Sequence, residues 1–308
     1  MSAFSPASQN MTSRAPATAI LAVDSVDRLA IGAVVPGSQQ PVSYNFTIQK
    51  PNSILNGFFN RIATSEIVLE WQAQNVSSAV LIPGFTTGNN TFTWATTGGA
   101  TTITIPTGWY NVNALGTQLA SLMTAGTVGG TTWTWAAIPA STGILGGYWL
   151  LPAASVATLT LTGAIWSQLA GSGFSGTANA YLTTLGIPII NPDLRPVRYL
   201  DFVCNDLTYN QALKDDSTSS QYRDNLCRWY FAWADNAQPT VDAAGYPILM
   251  GYTPFVARRL FSPPKLIRWD ARMPLGNLKF QVYNDSGTLA TLMGGTSEFL
   301  LTLLASEE

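Results

Sequence analysis

The sequence contains no histidine. That removes the usual general base at neutral pH and the commonest metal ligand. Ser-His-Asp and Cys-His catalysis are excluded with it, and so are histidine-based zinc sites. Charge is scarce as well: 15 Lys and Arg and 17 Asp and Glu in 308 residues, 10% of the chain, against roughly 25% in an ordinary soluble domain. The net charge of −2 provides no global basic field of the kind a nucleic-acid binder carries. Only two cysteines occur, Cys204 and Cys227, and neither belongs to a Cys-x-x-Cys motif. They are either two reduced core thiols or one disulfide. No apolar run reaches the ~18 residues of a membrane span. Residues 1–19 lack the basic start and apolar stretch of a signal peptide, so no leader is expected. The Asn-x-Ser/Thr triplets at Asn10, Asn45, Asn75, Asn89 and Asn284 are then read as unmodified.

What replaces charge is Thr, Ser, Asn, Gln, Ala and Gly, beside a hydrophobic fraction of 46%. A free monomer keeps surface charge for solubility. A chain without it suits a surface covered by neighbours, although compact uncharged lectins share the trait. Residues 1–28 are small, polar and Pro-containing and read as an N-terminal arm, with apolar patches in 20–35 able to form a short strand or lie across a neighbour. From residue 41 the period becomes two. Val42, Tyr44, Phe46 and Ile48 alternate with polar residues, and Ile67, Leu69 and Trp71 face away from Glu66, Glu70 and Gln72.

Between 91 and 190 the texture changes, and charge is absent from Thr91 to Pro192. Strands are expected at 91–95 and 101–105. A helix follows, with Asn113 as N-cap and Leu115, Leu119, Leu122 and Met123 on one face. Further strand-like runs lie at 133–135, 147–151 and 158–162, with a short helical piece at 165–169. This reads as a β-α-β-β module inserted into a β domain. From 195 the first texture returns, with strands expected at 197–204, 226–233, 255–261, 267–269, 278–283 and 299–304. Asn284-Asp285-Ser286-Gly287 is a hairpin turn. Many short strands with Gly/Pro/Asn turns predict an antiparallel sandwich.

Three stretches resemble the penton (minor capsid) proteins of virophages and polinton-like viruses, with related elements in other double-jelly-roll viruses. The first is Ile103-Thr104-Ile105-Pro106-Thr107-Gly108-Trp109-Tyr110 with the 115–123 helix, partnered by Thr184-Leu185-Gly186-Ile187. The second runs from Cys204-Asn205-Asp206-Leu207 through Lys214-Asp215-Asp216-Ser217-Thr218 to Leu226. The third is Leu278-Lys279-Phe280-Gln281-Val282-Tyr283-Asn284-Asp285-Ser286-Gly287, closed by residues 298–304. The resemblance implies a single jelly-roll sandwich; the change of texture along the chain divides this all-β fold into arm 1–28, jelly roll 29–90 plus 191–308, and an inserted small α+β module, 91–190, expected to project, whose Trp-, Thr- and Gly-rich sequence departs from the family. It implies a virion structural protein assembled in the infected cell, closing the five-fold vertex as a homo-pentamer beside a double-jelly-roll major capsid protein. It implies no enzymatic activity and no cofactor.

Three groups of side chains carry sharper readings. Trp133, Trp135 and Trp149 are candidate contacts for a glycan or a partner, with core packing as the plainer reading. A lectin-like receptor-binding spike or fibre head using these tryptophans is the competing function. Arg258, Arg259 and Lys265, with Arg268 and Arg272, are a candidate basic inner patch facing genome or an acidic partner, with ion pairing between strands as the alternative. Sequence-specific nucleic-acid recognition is not expected. Asp201, Asp206, Asp215, Asp216 and Asp224 are the sole carboxylate-rich segment, without the spacing of a calcium or glycosidase site, and read as a solvated loop.

Overall fold

Alternating apolar residues place one face of each strand in a core, and the computed structural model shows how those faces meet. It describes residues 18–29, 42–49, 59, 61–78, 88–96, 99–138, 147–156, 159–170, 186–189, 192, 194–195, 197–208, 225–231, 240–241, 247–248, 255–268, 276–290 and 297–307. Strands β1 (Thr18–Asp24), β2 (Asn45–Gln49) and β3 (Arg61–Trp71) precede a long excursion. After it come β10 (Tyr199–Val203), β11 (Asn225–Tyr230), β14 (Phe255–Arg268), β15 (Asn277–Asn284) and β16 (Glu298–Ser306). These eight form two four-stranded antiparallel sheets, ordered β1-β16-β3-β14 and β11-β10-β15-β2. Lettered B to I in chain order, they read B-I-D-G and F-E-H-C. That order is a jelly roll, in which strands from both ends of the chain interleave.

The period-two expectation holds in detail. Ile67, Leu69 and Trp71 are fully buried while Glu66, Val68 and Glu70 lie on the opposite, half-exposed face of β3. Aromatic rings fill the space between the sheets. Phe46 stacks on Phe280 at 5.7 Å, and Phe299 meets Phe46 at 5.9 Å and Phe202 edge-on at 4.9 Å. The 284–287 turn is also as read: Asn284 Oδ1 accepts from the backbone N–H groups of Ser286 and Thr288, and the N–H of Gly287 donates to the Asn284 carbonyl.

Two expectations need correction. Residues 18–24 are not arm. They pair along their whole length with β16, from Thr18 opposite Ser306 to Asp24 opposite Leu300, and Val23 is buried in the core. A turn at Ser25–Leu29 continues the docking. There the buried Arg28 forms a bidentate pair with Glu298 at 2.6 and 2.7 Å, and Phe299 N–H donates to Ser25 Oγ at 2.8 Å. Residues 1–17 lie outside the described residues. The strands expected at 255–261 and 267–269 are one strand, β14, whose pairing with β3 shifts register between Leu260 and Lys265.

The excursion between strands D and E is richer than β-α-β-β. It holds β4 (Thr91–Thr96), β5 (Gly99–Thr104), helix α1 (Val112–Ala125), β6 (Trp133–Ala137), β7 (Tyr148–Pro152), β8 (Thr160–Thr162), helix α2 (Ala164–Ala170) and β9 (Ile187–Ile189). They make two three-stranded sheets, β5-β4-β8 and β6-β7-β9, while the two-residue strands β12 (Thr240–Val241) and β13 (Pro247–Ile248), between β11 and β14 in the chain, pair with each other. The helix is capped by Asn111 rather than Asn113: its side chain accepts from Ala114 N–H at 2.6 Å. Leu115, Leu119 and Met123 are buried in a cluster that runs from Val76 to Leu194 and is distinct from the sandwich core. The unit's own core thus reaches past the expected 91–190 at both ends.

A buried amide pair closes the junction. Asn75 donates to the Tyr110 carbonyl at 2.7 Å and accepts from Tyr110 N–H at 2.9 Å. Asn89 donates to the Asn75 carbonyl and to Gln168, and accepts from Ser77 N–H. Both amides are buried and engaged in the fold, so the triplets at Asn75 and Asn89 are not available for modification in the folded chain.

Candidate functional site

The three candidate tryptophans do not share a surface. In β6, Trp133 and Trp135 point toward α1. Trp133 is buried, and its indole N–H donates to the Val128 carbonyl at 2.8 Å. Trp149 of β7 sits opposite Ala136, so it faces the other side of the sheet. Trp133 is therefore a core residue, not a contact for glycan or partner. Trp135 stacks on Tyr148 at 4.9 Å and lies flat over Gly116 of α1. A Cβ at residue 116 would sit 2.1 Å from two carbons of the indole. This explains a glycine inside a helix, where it costs about 1 kcal/mol relative to alanine. Gly116→Ala, stabilising on propensity alone, is expected to lower stability by about 1–3 kcal/mol through overpacking. Thermal unfolding checks it: a variant at least as stable as the parent contradicts the packing described.

On the outer face of β5-β4-β8, Thr91, Thr93, Thr102, Thr104 and Thr162 stand in adjacent register. The Thr93 and Thr102 hydroxyls are 2.9 Å apart. This is a hydroxyl-bearing surface without charge.

The basic residues do not converge. Arg258 pairs with Glu66 on the outer face of the B-I-D-G sheet. Arg259 points the other way, over the rings of Phe261 at 5.4 Å and Tyr230 at 6.0 Å. Lys265 is opposite Thr64 in β14; its side chain, like Arg272 and Asp270, lies outside the described residues. The acidic segment also separates. Asp201 is buried against Arg228, with contacts of 2.6 and 3.0 Å. Asp206 accepts from Lys279 N–H at 2.8 Å. Asp215, Asp216 and Asp224 fall outside the described residues. Among the described residues no group of three His, Cys, Asp or Glu side chains could hold a metal ion.

Sequence reasoning missed the Asp201–Arg228 pair. Arg228 lies over Tyr199 at 4.1 Å, and its hydrogen bonds to Asp201 raise its pKa further above the ordinary arginine value. The two residues are 27 positions apart and become cross-strand partners only when β10 and β11 pair.

Both cysteines are buried and free, so the reduced alternative holds. Burial pushes the Cys204 thiol up from 9.0 to about 12. A raised folded-state pKa contributes stability that is fully present below the unfolded value and is lost as pH rises through the folded one. Between pH 9 and 12 the parent should therefore lose up to ~1.4 kcal/mol per pH unit more than Cys204→Val. Denaturant titrations across that range check this, and parallel slopes would refute it.

No protein-family model and no curated protein sequence matches the chain. Eight strands in B-I-D-G and C-H-E-F order define it as a jelly-roll protein with an insertion between strands D and E. Among solved structures it is similar to the mavirus penton protein, with TM-score 0.45 and 10% identity over 94% of this chain and 99% of that one. It is also similar to a chain of the Sputnik virophage structure, with TM-score 0.40 and 12% identity over 95% of this chain and 98% of that one.

Proposed function

We propose that the chain is a viral capsid subunit, a penton or minor capsid protein that closes the five-fold vertex of an icosahedral shell as a homo-pentamer. The observation that supports this best is the architecture itself: a single jelly roll whose largest excursion among the described residues is a unit with its own core and without Lys or Arg from Val76 to Leu194. The excursion leaves from the connection between D and E, and among the described residues the outer strands β1, β2, β11 and β14 carry no further strand, which leaves them open to neighbours. Side-by-side contacts of that kind close into rings when the rotation allows. The inserted unit projects outward, because a surface facing packaged phosphates would gain from Lys or Arg and this one has none. Its threonine-lined sheet and half-buried tryptophans suit contact with another protein. Residues 1–17, ahead of β1, serve as the arm under neighbouring capsomers, and a double-jelly-roll major capsid protein is the partner around the ring.

Mass photometry at micromolar concentration, alone and with the major capsid protein, tests the reading: closed rings are expected, and a monomer in both conditions counts against it. The lectin-like alternative loses its platform with the burial of Trp133 and the separation of Trp149 from Trp135. A glycan array is expected to be blank, and specific binding to one glycan class abolished by Trp149→Ala would restore that alternative.

A further inference from the structure

The two sides of the sandwich are unlike each other. On one side the outer strands are β14 and β11, brought together where Arg259 reaches the Tyr230 ring. This side exposes Val256 (69%) and Leu260 (63%) on the outer face of β14, beside the Arg258–Glu66 pair, and Tyr230 (56%) with the exposed cation of Arg259 on the strand's other face. On the other side the outer strands are β1 and β2, with the Ser25–Leu29 turn lying against β2. This side exposes Ile20 (71%) and Val26 (49%), with the carboxylates of Asp24 and Asp27 beside them. Asp24 accepts only within its own turn, from Val26 N–H at 2.9 Å, among the described residues. Asp27 is exposed and has no cationic partner among them.

Each side thus pairs exposed aliphatic residues with charge, and the charges are opposite. Like sides would repel, whereas unlike sides complement each other in both apolar and ionic character. Tyr and Arg are among the residues enriched at interface hot spots. Strand addition is a poor way to use β14, because Pro263 and Pro264 lack N–H donors and fall where the strand's pairing is interrupted. Contact through side chains fits better.

We infer that the β14–β11 side of one copy docks on the β1–turn side of the next, with Arg259 and Tyr230 against Asp24 and Asp27, and Val256 and Leu260 against Ile20 and Val26. The contact is heterologous, so repetition generates a ring where the rotation closes, and not a two-fold dimer. This rests on the capsid-ring reading and specifies its interface.

A charge exchange tests it on the full chain. Arg259→Glu and Asp27→Arg should each raise the concentration for half-assembly by roughly tenfold, and combining them should restore assembly. Both positions are exposed, so thermal melts should show every variant folded. In parallel, Ile20→Cys and Leu260→Cys chains should form disulfide-linked dimers when mixed and not when oxidised separately, since both native thiols are buried. Rings that survive both reversals, with no cross-link in the mixture, would overturn the interface while leaving the ring reading intact. Rings that instead vanish on removal of residues 1–17 would assign the β1 side to a neighbour's arm, and also overturn it. A parent chain that never assembles would remove the ring reading, and this interface with it.

Discussion

Phe299→Ala should lower the unfolding free energy by about 3–5 kcal/mol, the range for deleting a buried aromatic ring. Phe299 stands in β16, the strand that joins β1 to β3 and so holds the B-I-D-G sheet together. Its ring crosses the interior to touch Phe46 and Phe202, which belong to the opposite sheet. Truncation removes the contact between the sheets and leaves a void bounded by stiff strands that cannot collapse into it. Phe299→Leu, keeping much of the volume, should cost far less. Chemical denaturation of the two variants measures this. A loss below about 1 kcal/mol for the alanine variant would mean that the two sheets are not packed through these rings.

Arg228→Met should cost about 3–5 kcal/mol, because it removes the guanidinium that is paired with the carboxylate of Asp201, which is only 1% exposed. The loss should fall at the lower end, since the Arg228 side chain is itself 23% exposed. The informative comparison is the double variant Asp201→Leu/Arg228→Met. Exchanging a buried ion pair for apolar residues of similar volume is often neutral or stabilising. The double variant is thus expected within about 1 kcal/mol of the parent, far above the single one. Equal losses for single and double variants would show that Arg228 acts through its stacking on Tyr199 rather than through Asp201.

The parts of the fold that follow a local period were legible in the sequence. Ile67, Leu69 and Trp71 announced a one-sided strand, Leu115, Leu119 and Met123 a one-sided helix, and Asn284 to Gly287 a turn, because each signal lies within a few residues. What depends on distant partners was not legible. Strand β1 reads as arm because a strand at a sheet's edge alternates exposed Ile20 and Ala22 with half-buried Ala19 and Leu21, leaving Val23 alone fully buried, and its register is set by β16 at the other end of the chain. Strand β14 reads as two pieces because Pro263 and Pro264 look like a break, yet both fall in the stretch between Leu260 and Lys265 where the pairing with β3 shifts register, and edge strands and bulges tolerate proline. The grouping of Trp133, Trp135 and Trp149 failed for a similar reason. The period of two places Trp133 and Trp135 together, but the face that Trp149 takes depends on how β7 registers against β6. Low charge pointed to covered surface without saying which, and the placement of Arg259 and Asp27 on opposite sides depends on the strand order, which no local period encodes.

The central claim is a ring of jelly rolls. Cryo-electron microscopy of the purified chain, with class averages computed without imposed symmetry, tests it most directly. The account predicts five copies around an axis, β14 of each beside β1 of the next, and the 91–190 unit raised on one surface. Classes containing only single sandwiches, with and without the major capsid protein, would contradict it.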